Sequence, residues 1–213
     1  PGSYGILPAT ELEMDADHDC KRVRMPSGLS PQMAADLSAI GRACAEALEL
    51  TGIMDVEVIL HQGQLKVLEV DARLPSQTPI AVFLGCGHNE VAMMTYLFYE
   101  NPWPLECSKG QGRGVILEHI RVTGRRLTVC GEHIMGVDQP LRLVSDFFGA
   151  DEALTTYTAG TDSWVATLII TGTDRDAAWK RRGRIMAGLK DRFDLASIED
   201  PNPILPWCKG AAQ

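Results

Sequence analysis

Four near-alternate acids, Glu11, Glu13, Asp15 and Asp17, open the ordered pattern of this chain and predict a solvated strand edge. The run Cys20–Met25 (CKRVRM) mixes apolar and basic residues and predicts a short strand that follows. Ser30 is a natural N-cap, and Pro31 fits the first helical position. Met33, Leu37, Ile40, Cys44, Ala47 and Leu48 then recur at helical spacing, which predicts a core-facing stripe ended by a left-handed Gly52. Asp55–Pro79 departs from this pattern. It reads as two short strands in which Val56, Val58, Leu60, Leu68 and Val70 share an apolar face, while Asp55, Glu57, Glu69 and Asp71 stand where apolar residues are expected. A two-residue turn at Gln62-Gly63 places Glu57 opposite Leu68 and splits the acids between faces. A three-residue loop at His61–Gly63, with Gly63 left-handed, puts all four acids on one face. This is the expected register, because it separates charged from apolar positions completely.

Further along, Arg73–Pro79 reads as a stiff polar loop with two prolines. Asn89–Glu100 predicts a helix with Val91, Met94, Tyr96, Leu97 and Phe98 largely buried, and His88 as a cap or surface group at its start. Asn101–Gly114 is rich in proline and glycine and predicts a boundary, dividing the chain into parts 1–105 and 106–213. The second part is β-rich, with strands at Gly114–Val122, Leu127–Gly131, Leu141–Asp146 and Trp164–Thr171. Asp174 caps a closing helix through Phe193 that turns Ala178, Ile185, Leu189 and Phe193 inward. The expected class is α+β: an antiparallel sheet with packed helices, followed by a small β-rich domain.

The composition narrows the function classes. With 213 residues, 45% of them hydrophobic, the chain can bury one sizeable core or two modest ones. A formal charge of −8 and a pI near 5.1 argue against nucleic-acid binding. No apolar run is long enough to span a membrane. Six scattered cysteines, Cys20, Cys44, Cys86, Cys107, Cys130 and Cys208, form no C-x-x-C pair. They read as reduced structural thiols of a cytoplasmic protein, and zinc is not expected.

The chemistry lies in the hairpin. Carboxylates brought this close repel one another unless a cation or a positive side chain neutralises them. Oxygen-only ligation suits Mg²⁺ or Mn²⁺. The other reading is an acidic face paired with Lys21, Arg22 and Arg73. Lys21, Arg22 and Arg24 are open in the same way, either holding anionic phosphates or pairing with acids. Arg73 can clamp a phosphate or carboxylate, and Ser76, Gln77 and Thr78 suit hydrogen bonds to a polar small molecule. Ser76 lacks the G-x-S-x-G elbow of a nucleophile.

Four stretches carry a resemblance: LEMD at Leu12–Asp15, DCKRV at Asp19–Val23, GIMDVEVIL at Gly52–Leu60 and LEVDARLPSQTP at Leu68–Pro79. Together they resemble the C-terminal half of the ATP-grasp ligases, and within that superfamily the ligases of pyrrolysine biosynthesis. The resemblance implies ATP-dependent joining of 3-methyl-D-ornithine to the ε-amine of lysine, with ATP and Mg²⁺ as cofactors. It implies Glu57, Glu69 and Asp71 as metal ligands. The superfamily mostly has Asn at the position of Asp71, and Asp keeps an oxygen ligand while adding charge. Arg73 is implied as the catalytic residue that stabilises developing charge, and Lys21, Leu68 and Glu69 as nucleotide-binding residues. Glu13 is implied to bind a substrate ammonium, and Arg73, Ser76, Gln77 and Thr78 to bind substrate. Such ligases also have an N-terminal α/β domain and a further phosphate-binding lysine, neither of which precedes Pro1 in this sequence. A missing half supplied in cis or in trans, and a homodimer, are therefore further expectations. So is a truncated, non-catalytic metal-binding domain.

Overall fold

A computed structural model describes residues 4–99 and 112–201 of the protein. Its centre is a pair of ten-residue strands, β5 (Gly114–Thr123) and β9 (Ser163–Gly172), antiparallel along their full length. Both are buried over most of their length, as strands covered on both sides must be. One edge of β5 is shared. Its first half pairs with β2 (Cys20–Met25), which carries the edge strand β1 (Glu11–Met14). Its second half pairs with β6 (Arg126–Val129), beside which β10 (Ser197–Glu199) lies parallel. Beyond β9 follow β8 (Glu152–Thr155) and β7 (Arg142–Ser145). The sheet thus takes strands from both sides of residues 105/106. The proline- and glycine-rich boundary stretch itself falls mostly outside the described residues.

Alternation along β5 sorts the two faces. Ile116, Ile120 and Val122 join Leu168 and Ile170 of β9 in one core, covered by Ala178, Ile185, Met186 and Leu189 of α5 (Arg175–Arg192). Asp174 Oδ1 accepts from Ala177 N at 2.7 Å and caps this helix. The cross-strand partners Gly114 and Gly172 lie under its start. A Cβ on Gly114 would come 2.0 Å from the Asp174 carbonyl, and one on Gly172 would come 2.3 Å from Ala178 N. Val115 and Leu117 face the other way and pack with Val23, Met25 and Ile169 against Ala81 and Val82 of α2 (Thr78–Cys86).

The hairpin of β3 (Asp55–His61) and β4 (Gln64–Asp71) forms a separate two-stranded sheet. His61 pairs with Gln64, so the turn has two residues, Gln62 and Gly63, both at positive φ (49° and 75°). The three-residue loop expected from the pattern is therefore corrected. The register is shifted instead by a bulge: Glu57 pairs with Glu69 and Val58 with Val67, leaving Leu68 without a partner.

Three further expectations change. Helix α1 (Pro31–Ala47) begins on Ser30 as the pattern predicts, but it stops four residues before the expected cap, with Glu49 rather than Gly52 as the left-handed stop (φ 48°). Its stripe is half-buried at most, and Ala47 and Leu48 are exposed. Helix α3 (Glu90–Phe98) is capped by Asn89, but Val91, Tyr96, Leu97 and Phe98 are exposed rather than buried. Helix α2 and strands β8 and β10 had no forerunner in the sequence pattern, nor did the short α4 (Ile134–Val137).

Candidate functional site

The turn and the bulge together deliver the alignment that the acids require. Glu57 lies directly opposite Glu69, and Asp55 directly opposite Asp71. Residues so placed have Cβ atoms about 4.5–5.5 Å apart, close enough to share a cation. Burial, and then the negative charges of Asp55, Glu69 and Asp71, raise the proton affinity of Glu57. Asp55 is raised too, by burial first and then by Asp71 and Glu69, against the Val56 amide and Arg73. Carboxylates raised by one another in this way gain from a divalent cation. Asp71 is engaged differently, since Arg73 Nη2 donates to its Oδ2 at 2.5 Å. Among the described residues no three His, Cys, Asp or Glu side chains stand ready to hold a metal ion. Of the three expected ligands, Glu57 and Glu69 stand directly opposite each other. Two carboxylates suit Mg²⁺, which keeps its other positions for water and phosphate.

The remaining expected residues fall into two groups. Ser76 is exposed on the loop after β4, Thr78 begins α2, and Leu68 is the 64% exposed bulge residue. Lys21 and Glu13 belong to the ion network of the main sheet. Lys21 Nζ donates to Asp200 Oδ1 (2.8 Å) and to the Pro201 carbonyl (2.6 Å). Glu13 lies opposite Arg22 in the ladder and pairs with it and with Arg24 Nε (2.8 Å). Arg22 in turn lies opposite Glu118, so Glu13, Arg22 and Glu118 form one row of alternating charge across three strands. Three of the four acids near the start are thus not a solvated edge, and only Asp17 is exposed. Glu11 and Glu13 are held by Arg24, Arg175 and Arg22, and Asp15 caps a turn by accepting from the Asp17, Asp19 and Gly131 amides.

Gln77 connects the hairpin side to the sheet. Its side chain meets His119, Glu132 and, at 4.0 Å, the Cys20 thiol. Burial, followed by the charges of Glu132, Asp19 and Glu57, pushes that thiol up to about 12. His119 and Glu132 had no motif to mark them. A histidine next to a glutamate in the middle of the strand GVILEHIRVT was the available signal.

His119 is 3% exposed, and burial pushes its imidazole down to about 4 against an ordinary 6.5. The unfolded chain takes up this proton near pH 6.5 and the folded chain only near 4. The stability it contributes is therefore complete above about 6.5 and lost as pH falls through 4, by up to about 3 kcal/mol. Glu90, 4% exposed, acts in the opposite sense. Burial and the Asp55 charge push it up to about 7, so its contribution is complete below 4.5 and lost as pH rises through 7. The two oppose each other between pH 4.5 and 6.5, so the expected result is differential. The stability of wild type relative to His119→Gln falls by about 3 kcal/mol from pH 7 to pH 4, and relative to Glu90→Gln it rises. Urea midpoints across that range check both, and parallel pH curves for wild type and variants would refute both.

The sheet, the covering helices and the acidic hairpin define a class. No family model matches the chain. Among solved structures it superposes on N5-carboxyaminoimidazole ribonucleotide synthetase bound to ADP, with TM-score 0.54, 15% identity, 91% of this chain and 47% of that one. It also superposes on phosphoribosylglycinamide synthetase from Anaerococcus prevotii, with TM-score 0.57, 14% identity, 84% of this chain and 47% of that one. The fold is that of the ATP-grasp enzymes. In sequence the chain is a homologue of enzymes named 3-methyl-D-ornithine–L-lysine ligase. It is 30% identical over 196 residues to that of Methanosarcina acetivorans and 29% identical over 197 residues to that of Methanosarcina mazei. These alignments cover 91% and 92% of this chain, and the chain spans about half the length of both relatives (51% and 50%). No helix among the described residues is long and apolar enough to cross a membrane.

Proposed function

We propose that the chain is the C-terminal portion of an ATP-dependent carboxylate–amine ligase that joins 3-methyl-D-ornithine to the ε-amine of L-lysine. The observation that carries this reading is the opposed Glu57–Glu69 pair in a homologue of ligases with that name. In this reading Glu57 and Glu69 hold Mg²⁺, with Mn²⁺ as a substitute of the same ligand preference. The metal offsets negative charge on the phosphoryl group being transferred. The ornithine carboxylate attacks the γ-phosphorus of ATP and ADP leaves. The uncharged lysine ε-amine then attacks the acyl carbon, phosphate leaves, and the new amide loses a proton.

Arg73, 59% exposed in its side chain and held by Asp71, is placed to swing onto the charge that develops on the carboxylate. Ser76, Gln77 and Thr78 bind substrate polar groups, and Leu68 borders the adenine. Lys21 and Glu13 reach ligands only by exchanging the partners they have in the sheet, which makes them weaker candidates than the exposed Arg73. The exposed apolar side chains of the hairpin and its neighbours, Val67, Leu68, Val70, Phe83, Tyr96 and Phe98, support a further polypeptide half packing there, in cis or in trans.

The test supplies the full-length gene product with ATP, Mg²⁺, 3-methyl-D-ornithine and lysine. Release of ADP with a new amide, seen by mass, is expected. No ADP with any amino-acid pair sinks the ligase reading, and ADP with other pairs only sinks the substrate assignment.

A further inference from the structure

His119 stands on β5 directly across from Thr167 of β9, on the sheet face that carries α2. Its Nδ1 lies 2.8 Å from Thr167 Oγ1, and its Nε2 lies 2.9 Å from Gln77 Oε1. The polarity of the chain of bonds is forced from its far end. A carboxylate only accepts, so the Glu132 end of the Gln77 amide must be the NH₂. The Gln77 carbonyl therefore faces His119 and needs a donor, which makes Nε2 the protonated nitrogen. Nδ1 is then the acceptor, and the Thr167 hydroxyl donates to it.

Gln77 occupies the N-cap position of α2 yet makes no capping bond with its side chain. The side chain is held instead by His119 and Glu132. Glu132 has further acceptor sites beyond the one Gln77 fills, and no other side-chain hydrogen bond to it occurs among the described residues. It is half-buried on the loop before α4, and the Gln77 amide that reaches it also meets the Cys20 thiol at 4.0 Å. An amino-acid ammonium bound there would stand at the end of the loop that leads from β4 of the hairpin into α2.

We propose that His119 is a positioning residue for substrate binding: its Nε2–H holds the Gln77 carbonyl so that the amide NH₂ sits on Glu132, fixing the Gln77–Glu132 pair as the docking point for an amino-acid ammonium group. Thr167 selects the tautomer that makes this possible. A rotated Gln77 amide would present its carbonyl to Glu132 and repel it, and the pair would separate. This inference rests on the ligase reading for the identity of the substrate, and on geometry for the pair itself.

Two measurements on the full-length gene product test it. The first is steady-state kinetics. His119→Leu is expected to raise KM for one amino-acid substrate by about tenfold or more with KM for ATP within about twofold, because only amino-acid docking loses its support. Glu132→Gln should raise KM for the same amino acid. His119→Gln restores a donor near the position of Nε2 and should recover most of the loss, whereas His119→Asn is too short to reach Gln77 and should not. An unchanged amino-acid KM in His119→Leu, or a joint rise with KM for ATP, overturns the proposal and leaves the ligase reading standing. The second measurement is ¹⁵N NMR of histidine-labelled protein at pH 7. A neutral ring protonated at Nε2 is expected, and protonation at Nδ1 overturns the proposal whatever the activity. If wild type releases no ADP with any amino-acid pair, the ligase reading fails. Calorimetric binding of lysine and D-ornithine to wild type and Glu132→Gln then decides the docking point: weaker binding to the variant supports it, and equal binding overturns it.

Discussion

Glu69→Gln in the full-length protein is expected to lower turnover by about a thousandfold or more, with ADP release as the measurement. The substitution keeps the shape of the side chain and one oxygen, so the ladder and the bulge are undisturbed. What it removes is half the negative charge of the only directly opposed glutamate pair in the hairpin. Glu57 is already raised by burial and by its acidic neighbours, Glu69 among them. In the free protein the neutral amide relieves that repulsion, so Glu69→Gln should be at least as stable as wild type. Loss of turnover with retained or improved stability separates a ligand from a structural residue. Added Mg²⁺ should shift the wild-type melting point upward, and the variant's much less. Ser76→Ala is the control: Ser76 is exposed, and its loss should cost far less than the Glu69 change. Glu69→Gln activity within about tenfold of wild type would remove the metal assignment.

The alignment of the acids was legible in the sequence, but its cause was not. Period-two spacing alone places Glu69 with Asp71 and Asp55 with Glu57, and bringing the two pairs together requires a shift of one residue. A three-residue loop and a bulge supply the same shift. Gln62 can take positive φ at modest cost, so the tight turn forms and the slack is taken up at Leu68. Helix α2 was hidden because Pro75 and Pro79 read as loop residues, although Pro79 falls in a first turn where its missing N–H costs nothing. The apolar face of α3 was read as buried because periodicity reports which residues share a face and not what covers them. Lys21 and Arg22 were left between phosphate and ion pair for a different reason. Their decisive partners, Glu118 and Asp200, lie 96 and 178 residues from Arg22 along the chain, and only the fold brings them together.

That ion network carries the second large effect. Glu118 and Lys21 are 0% exposed and Arg22 is 1% exposed, while Asp200 ties Lys21 (2.8 Å), Arg22 (2.6 Å) and Arg182 (2.9 Å) together at the end of β10. Glu118 accepts from Arg22 and from both Nε (3.1 Å) and Nη2 (2.9 Å) of Arg182. The Arg22, Arg24 and Arg182 guanidinium groups also lie 5.0–5.1 Å from the Trp179 ring centre. Positive charge is thus concentrated at one point of the sheet, and Glu118 is the only fully buried carboxylate that answers it among the described residues. Glu118→Gln fills the same volume but leaves buried guanidinium groups short of an anion, which is expected to cost about 3–5 kcal/mol of unfolding free energy by urea titration. Arg182→Met removes one of those guanidinium groups, so adding Glu118→Gln to it should cost less than adding it to wild type, a non-additive cycle. A loss under about 1 kcal/mol would mean that Arg22 does not depend on Glu118 for its charge balance. The charge of Arg22 would then rest on Glu13 and Asp200, which pair with it as well.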